Sequence, residues 1–94
     1  MPNPVSESGQ YTLVTATGST TVYSGACTLM GMLVSSTSGG TAIIKDGSAG
    51  AQVAGTIALT AGQWYPLPAT LTTGLYITVA GGPSNVTLFY NPGA

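Results

Sequence analysis

The sequence predicts an all-β protein: a single-domain antiparallel β-sandwich, jelly-roll-like, with about eight strands. Apolar and polar residues alternate with a period of two along most of the chain, which is typical of strands with one buried face. Clusters of Gly, Ser, Asn and Pro interrupt these stretches at intervals of about 8 to 12 residues, the spacing expected in a sandwich. Thr, Val and Gly, which are poor helix formers, stand where a helix would have to lie.

The first third of the chain contains an arm and three strands. Residues 1–10 carry two prolines and no apolar period, so we expect a flexible or extended N-terminal arm, followed by the sandwich domain over 11–94. Strands are expected in QYTLVTAT (10–17), TTVYS (20–24) and CTLMGMLVSS (27–36). The last is apolar on both faces, with Met30, Met32 and Val34 on one side and Leu29, Gly31 and Leu33 on the other, which predicts a central strand covered by a layer on each side.

The middle of the chain predicts a hairpin and an edge strand. TAIIK (41–45) and AQVAGTIALT (51–60) are strands joined by DGSAG, a run of turn-forming residues. In AGQWYPLPAT (61–70), Pro66 and Pro68 cannot donate hydrogen bonds to a neighbouring strand, so this segment is expected to be an edge strand or an irregular strand.

The last third shows the clearest alternation. In GLYITVA (74–80), Leu75, Ile77 and Val79 are expected to point inward. GGPSN is interpreted as a hairpin loop, and VTLFYNPG closes the chain with the side chains of Val86, Leu88 and Tyr90 on one face.

The very low content of charged residues is the unusual property of this composition. Glu7, Lys45 and Asp46 are the only charged residues, 3% of the 94, where about 25% is usual. The surface must then be coated by hydroxyl groups or covered by other molecules, which favours self-association or docking on a large partner. One lysine cannot supply the cationic cluster that nucleic acids or anionic membranes require, and no apolar run is long enough to span a bilayer, so neither partner is expected.

Lys45 and Asp46, adjacent in the sequence, are the first candidates for chemistry. The chain has no histidine and no second acid near Asp46, so no catalytic pair, metal site or cofactor site is predicted and an enzyme is not expected. Asp-Gly directly after a strand is instead a turn signal. Asp46 is expected to bond its own backbone there, and Gly47 to supply a positive φ.

Aromatic residues and the single cysteine leave alternatives open. Trp64, Tyr65 and Tyr76 are interpreted either as core or subunit-interface residues or as a platform that stacks on a sugar ring. Cys27 is expected to be a small buried apolar residue, with an interchain disulfide as the alternative.

Residues 22–93 carry a loose set of motifs: a strand ending in D-G, a proline-flanked strand, G-L-Y-I-T-V, and a terminal V-T-L-F-Y strand. In these the chain resembles small structural proteins of tailed bacteriophages, especially capsid decoration (cement) proteins with a β-sandwich or jelly-roll fold. The resemblance implies a non-enzymatic virion component on the capsid surface. It would be assembled in the host cytoplasm as a homo-dimer or homo-trimer and bound to the shell of the major capsid protein.

Two other functions stay open on the sequence alone. One is a carbohydrate-binding module of a phage fibre or spike, which requires Trp64 or Tyr76 to be exposed; the other is a tail or connector component. In the decoration function, residues 1–10 would suit docking on a neighbour by strand addition.

Overall fold

The computed structural model describes residues 10–92, which form two four-stranded antiparallel sheets around one core. The strands are β1 (Gln10–Val14), β2 (Gly18–Ser24), β3 (Cys27–Thr37), β4 (Thr41–Asp46), β5 (Ile57–Ala58), β6 (Trp64–Leu71), β7 (Gly74–Ala80) and β8 (Ser84–Pro92). The prediction of an all-β sandwich with eight strands is therefore confirmed.

The strand order is that of a jelly roll. The first sheet has the order β1-β8-β3-β6 and the second sheet the order β2-β7-β4-β5. Strands pair antiparallel as β1 with β8, β2 with β7, β3 with β6 and β4 with β5, as in one long hairpin folded at the β4–β5 connection. Rolling this hairpin brings β8 beside β3 and β7 beside β4, which completes both sheets.

The inward side chains of both sheets form a single apolar core. In β7, Leu75, Ile77 and Val79 are buried as predicted. The inward residues of β8 are also buried, and Tyr90 packs on Tyr23 of the second sheet with ring centroids 5.7 Å apart. The other large buried side chains are Leu29, Met32, Val34, Ile44 and Leu71.

The predicted faces of β3 are wrong because the strand contains a β-bulge. Against β8, Leu29 and Gly31 pair with the consecutive residues Tyr90 and Phe89, so Met30 is an extra residue in β3. The register against β6 shifts at the same place. A bulge changes the parity of the alternation, and Leu29 and Met32 consequently both point into the core. β3 does lie inside its sheet, between β8 and β6, but within residues 10–92 no third layer covers its outer side.

Two further expectations need correction. Residues 51–60 do not form one strand: Gln52 makes an isolated bridge to Lys45, and only Ile57–Ala58 pair regularly with β4. The GGPSN segment is not a hairpin loop, since β7 and β8 belong to different sheets.

The prediction for β6 is confirmed: this proline-containing strand lies at an edge of the first sheet. The arm predicted for residues 1–10 lies outside the described residues except for Gln10, which begins β1.

Candidate interaction surface

The outer side of the first sheet carries a contiguous apolar surface. Four large hydrophobic side chains of the described chain are exposed, namely Tyr11 (72%), Leu13 (54%), Leu33 (36%) and Trp64 (44%). All four belong to strands of the first sheet and point away from the core, as does the partly exposed Phe89. We call this set, Tyr11, Leu13, Leu33, Trp64 and Phe89, the apolar face.

Strand register explains why these side chains are neighbours. Across the sheet, Phe89 lies opposite Tyr11 on one side and Gly31 on the other. The adjacent outward row runs through Leu13, Thr87, Leu33 and Trp64. Side chains directly opposite each other on the same face of a sheet are in contact range, so the two rows form one surface that reaches all four strands.

Trp64 is fixed in position by glycine and by a second aromatic ring. Its indole stands edge-on to Phe89, with ring centroids 5.6 Å apart and an interplanar angle of 67°. It lies over Gly31, where an added Cβ would be 2.7 Å from two indole carbons. Tyr11 contacts the other side of Phe89 at a centroid distance of 6.4 Å. The three rings therefore form a line across the sheet.

The three aromatic residues singled out from the sequence do not form one platform. Trp64 lies on the outer side of the first sheet, whereas Tyr76 lies on the outer side of the second, with the Lys45 ammonium 6.0 Å from its ring centroid. Tyr65 points inward and packs against the core. Its hydroxyl donates to the Ala58 carbonyl at 3.0 Å and accepts from the Thr60 amide at 2.9 Å, which holds the end of β5.

Asp46 has a structural role that extends beyond its own turn. Gly47 has a φ of 84°, as predicted for this turn. Contrary to expectation, the Asp46 carboxylate bonds a different turn: it accepts from the backbone amides of Thr73 (2.8 Å), Thr72 (3.1 Å) and Gly74 (3.2 Å) and from the Thr72 hydroxyl (3.1 Å). These donors, led by the Thr73 amide, lower the pKa of Asp46.

The other charged and nucleophilic groups lie away from the apolar face. Lys45 donates to the Ser48 carbonyl at 2.9 Å within the β4–β5 connection. Cys27 is fully buried in the core, which confirms its predicted position, and burial raises the pKa of its thiol. Within residues 10–92, no group of three His, Cys, Asp or Glu residues is placed to hold a metal ion. The same part of the chain has no helix long and apolar enough to cross a membrane.

Sequence reasoning singled out Trp64 but missed the other members of the apolar face. The signal was present in QYTLV: Tyr11 and Leu13 lie on one side of the strand and Val14 on the other, so both sides carry large apolar residues. Only one of these sides can face the core of a two-layer sandwich.

Comparison of the chain with models of known protein families, with curated proteins and with solved structures found no match.

Proposed function

We propose that the protein is a non-enzymatic structural component of a bacteriophage virion, a capsid decoration or cement protein that self-associates and binds the shell of the major capsid protein. On this proposal it is assembled in the host cytoplasm and ends on the capsid surface. The apolar face carries the proposal, together with the resemblance of residues 22–93 to such proteins.

The chemistry of the apolar face suits docking on another protein. The centres of protein interfaces are depleted of charge and enriched in aromatic side chains, and large exposed apolar patches mark such sites. The first sheet contains no Asp, Glu, Lys or Arg among its described residues, and three aromatic rings lie in line across its outer side. A partner that covers this face would remove Tyr11 and Trp64 from water at little cost in desolvated charge.

The distribution of ionisable groups supports a role without catalysis. The chain has no histidine, and Asp46 uses both carboxylate oxygens to hold the β6–β7 turn. Its pKa is lowered, whereas a general base works best with a pKa near the operating pH.

Capsid binding by surface variants tests the proposal. Leu33→Lys places a charge in the middle of the apolar face, and Thr21→Lys, on an exposed position of β2 in the second sheet, is the matched control. Each purified protein is added to capsids of the phage that encodes the chain, prepared without it, and binding is measured by co-sedimentation. We expect Leu33→Lys to bind at least about tenfold more weakly and the control to bind as wild type. Absence of wild-type binding, or equal binding by Leu33→Lys, would contradict the proposal.

A carbohydrate-binding module of a phage fibre or spike is the second candidate, favoured by the 44% exposure of Trp64. Titration of Trp64 fluorescence with soluble fragments of host surface polysaccharide distinguishes the two functions. A saturable change that Trp64→Ala abolishes, without capsid binding, would favour the module. Association with isolated tails or connectors rather than with shells would favour a different virion part.

A further inference from the structure

The two open sheets leave four edge strands, and three of them are protected against pairing with another chain. β6 contains Pro66 and Pro68, which cannot donate to an added strand. β5 has only two residues, and β2 has a register shift between Thr21 and Tyr23. Prolines, short strands and bulges are the devices by which proteins prevent edge-to-edge association.

β1 has none of these protective features. It pairs with β8 over Gln10–Val14 without a register shift, and it contains no proline and no charged residue. No described strand pairs with its other side. It also carries the two most exposed large hydrophobic side chains of the described chain, Tyr11 and Leu13. An exposed, regular and apolar edge strand is a template for the addition of another strand.

We infer that β1 is the self-association site, at which the β1 strands of two copies pair antiparallel and join two first sheets into one continuous eight-stranded sheet. The inference deepens the self-association that the proposed function includes by naming its surface, and it leaves shell binding to the rest of the apolar face.

The residues of β1 define a specific register. A two-fold axis at Thr12, the middle residue of the strand, places Tyr11 of each copy opposite Leu13 of the other, on the outer side of the joined sheet. Aromatic–aliphatic pairs of this kind stabilise sheets, and here they cover the most exposed apolar side chains with one another. An axis at Tyr11 or at Leu13 also preserves the faces, but it places that residue opposite its own copy, so that no Tyr11–Leu13 pair forms.

A second copy fits this edge better than a charged partner does. The joined strands bring no like charges together, because residues 10–14 contain none. Joining the sheets also places the apolar faces of both copies side by side, so that the dimer would present the remaining part of both faces to a larger partner.

Sedimentation velocity across a wide range of protein concentration measures the association. Wild type is expected to shift with concentration from the mass of one 9.3 kDa chain to that of two. Leu13→Lys and Tyr11→Glu are each expected to weaken the dimer at least about tenfold. Thr21→Lys, on the protected β2 edge, is expected to leave it unchanged.

A mixture of the two β1 variants tests the register. In a mixed dimer with the axis at Thr12, the introduced lysine lies opposite the introduced glutamate, and the second Tyr11–Leu13 pair stays native. Mixing is therefore expected to restore dimers that neither variant forms alone. Hydrogen exchange supplies an independent measurement, since part of the β1 amides should become protected only at concentrations where wild type dimerises.

The outcomes distinguish self-association through β1 from self-association through the apolar face and from the proposed function. A wild-type monomer at all concentrations, or a dimer that persists in both β1 variants, overturns it. A dimer lost with Leu33→Lys but not with Leu13→Lys would place self-association on the apolar face instead. Failure of capsid binding with an intact β1 dimer would overturn the proposed function alone. Circular dichroism and thermal unfolding establish that each variant is folded.

Discussion

Gly31 lies directly beneath the indole of Trp64. A Cβ at position 31 would stand 2.7 Å from two carbons of that ring and 2.6 Å from the carbonyl oxygen of Tyr65. The missing side chain of Gly31 is thus what allows the indole of Trp64 to lie over residue 31, 5.6 Å from the ring centroid of Phe89. The arrangement of the aromatic rings on the apolar face depends on this contact.

Gly31→Ala is expected to lower the free energy of unfolding by about 1–3 kcal/mol, because the Tyr65 carbonyl cannot move without disturbing the β3–β6 pairing and the indole would have to leave its place over residue 31. Urea unfolding followed by Trp64 fluorescence measures the loss. Gly55→Ala is the control, since nothing lies within 4 Å of the added Cβ there. It should be neutral or slightly stabilising. Equal effects of the two substitutions would contradict this account of Gly31.

Asp46 is expected to govern stability in acid. Its pKa is lowered in the folded protein by the backbone amides of Thr73 and Thr72, so the carboxylate stabilises the fold above its unfolded pKa of about 3.9. That contribution is lost as the pH falls through the folded value. Few other groups titrate between about pH 5 and 9, so stability should change little there.

Thermal unfolding between pH 2 and 9 tests the role of Asp46. Asp46→Asn is expected to lower the melting temperature at pH 7 and to flatten the decline in acid, because the amide replaces one acceptor oxygen by a donor. Lys45→Gln, which removes the exposed ammonium that donates to Ser48 and lies 6.0 Å from the ring centroid of Tyr76, is the matched control. It should change the melting temperature and its decline in acid little. If the melting temperature of Asp46→Asn falls in acid as much as that of wild type, groups other than Asp46 cause the fall.

The Tyr65 hydroxyl is expected to hold the segment after β5. Tyr65→Phe removes its bonds to Ala58 and Thr60 and should cost about 0.5–1.5 kcal/mol, with faster hydrogen exchange at Thr60. Tyr76→Phe, on the outer side of the second sheet, is the matched substitution and should leave exchange at Thr60 as in wild type. Unaltered exchange in Tyr65→Phe would show that the segment is held by its backbone bonds alone.

Cys27 is expected to be unreactive in the folded chain. Its side chain is fully buried, and burial raises the pKa of the thiol, with a smaller contribution from the charge of Asp46. A thiol reagent should therefore react slowly in buffer and rapidly in denaturant, and a non-reducing gel should show no crosslinked dimer. Because the unfolded thiol ionises near pH 8.5, this group makes stability fall as the pH rises from there through the folded pKa. Cys27→Ala should lack that part of the alkaline decline.

The sequence alone determined the features that depend on neighbours along the chain. The period of two identified β1, β7 and β8, the prolines placed β6 at an edge, and Asp46-Gly47 marked a turn with positive φ. Each of these signals acts within a few residues, because side-chain alternation and backbone dihedral preferences are local properties.

Only the tertiary structure decided which residues distant in the sequence are in contact. The bulge at Met30 arises from pairing with strands distant in the sequence, and the carboxylate of Asp46 reaches a turn 26 to 28 residues away. Trp64 and Tyr76 were separated because the jelly roll assigns β6 and β7 to different sheets. Register and sheet assignment depend on non-local pairing, so no local pattern could show that Tyr11, Leu13, Leu33, Trp64 and Phe89 form one surface.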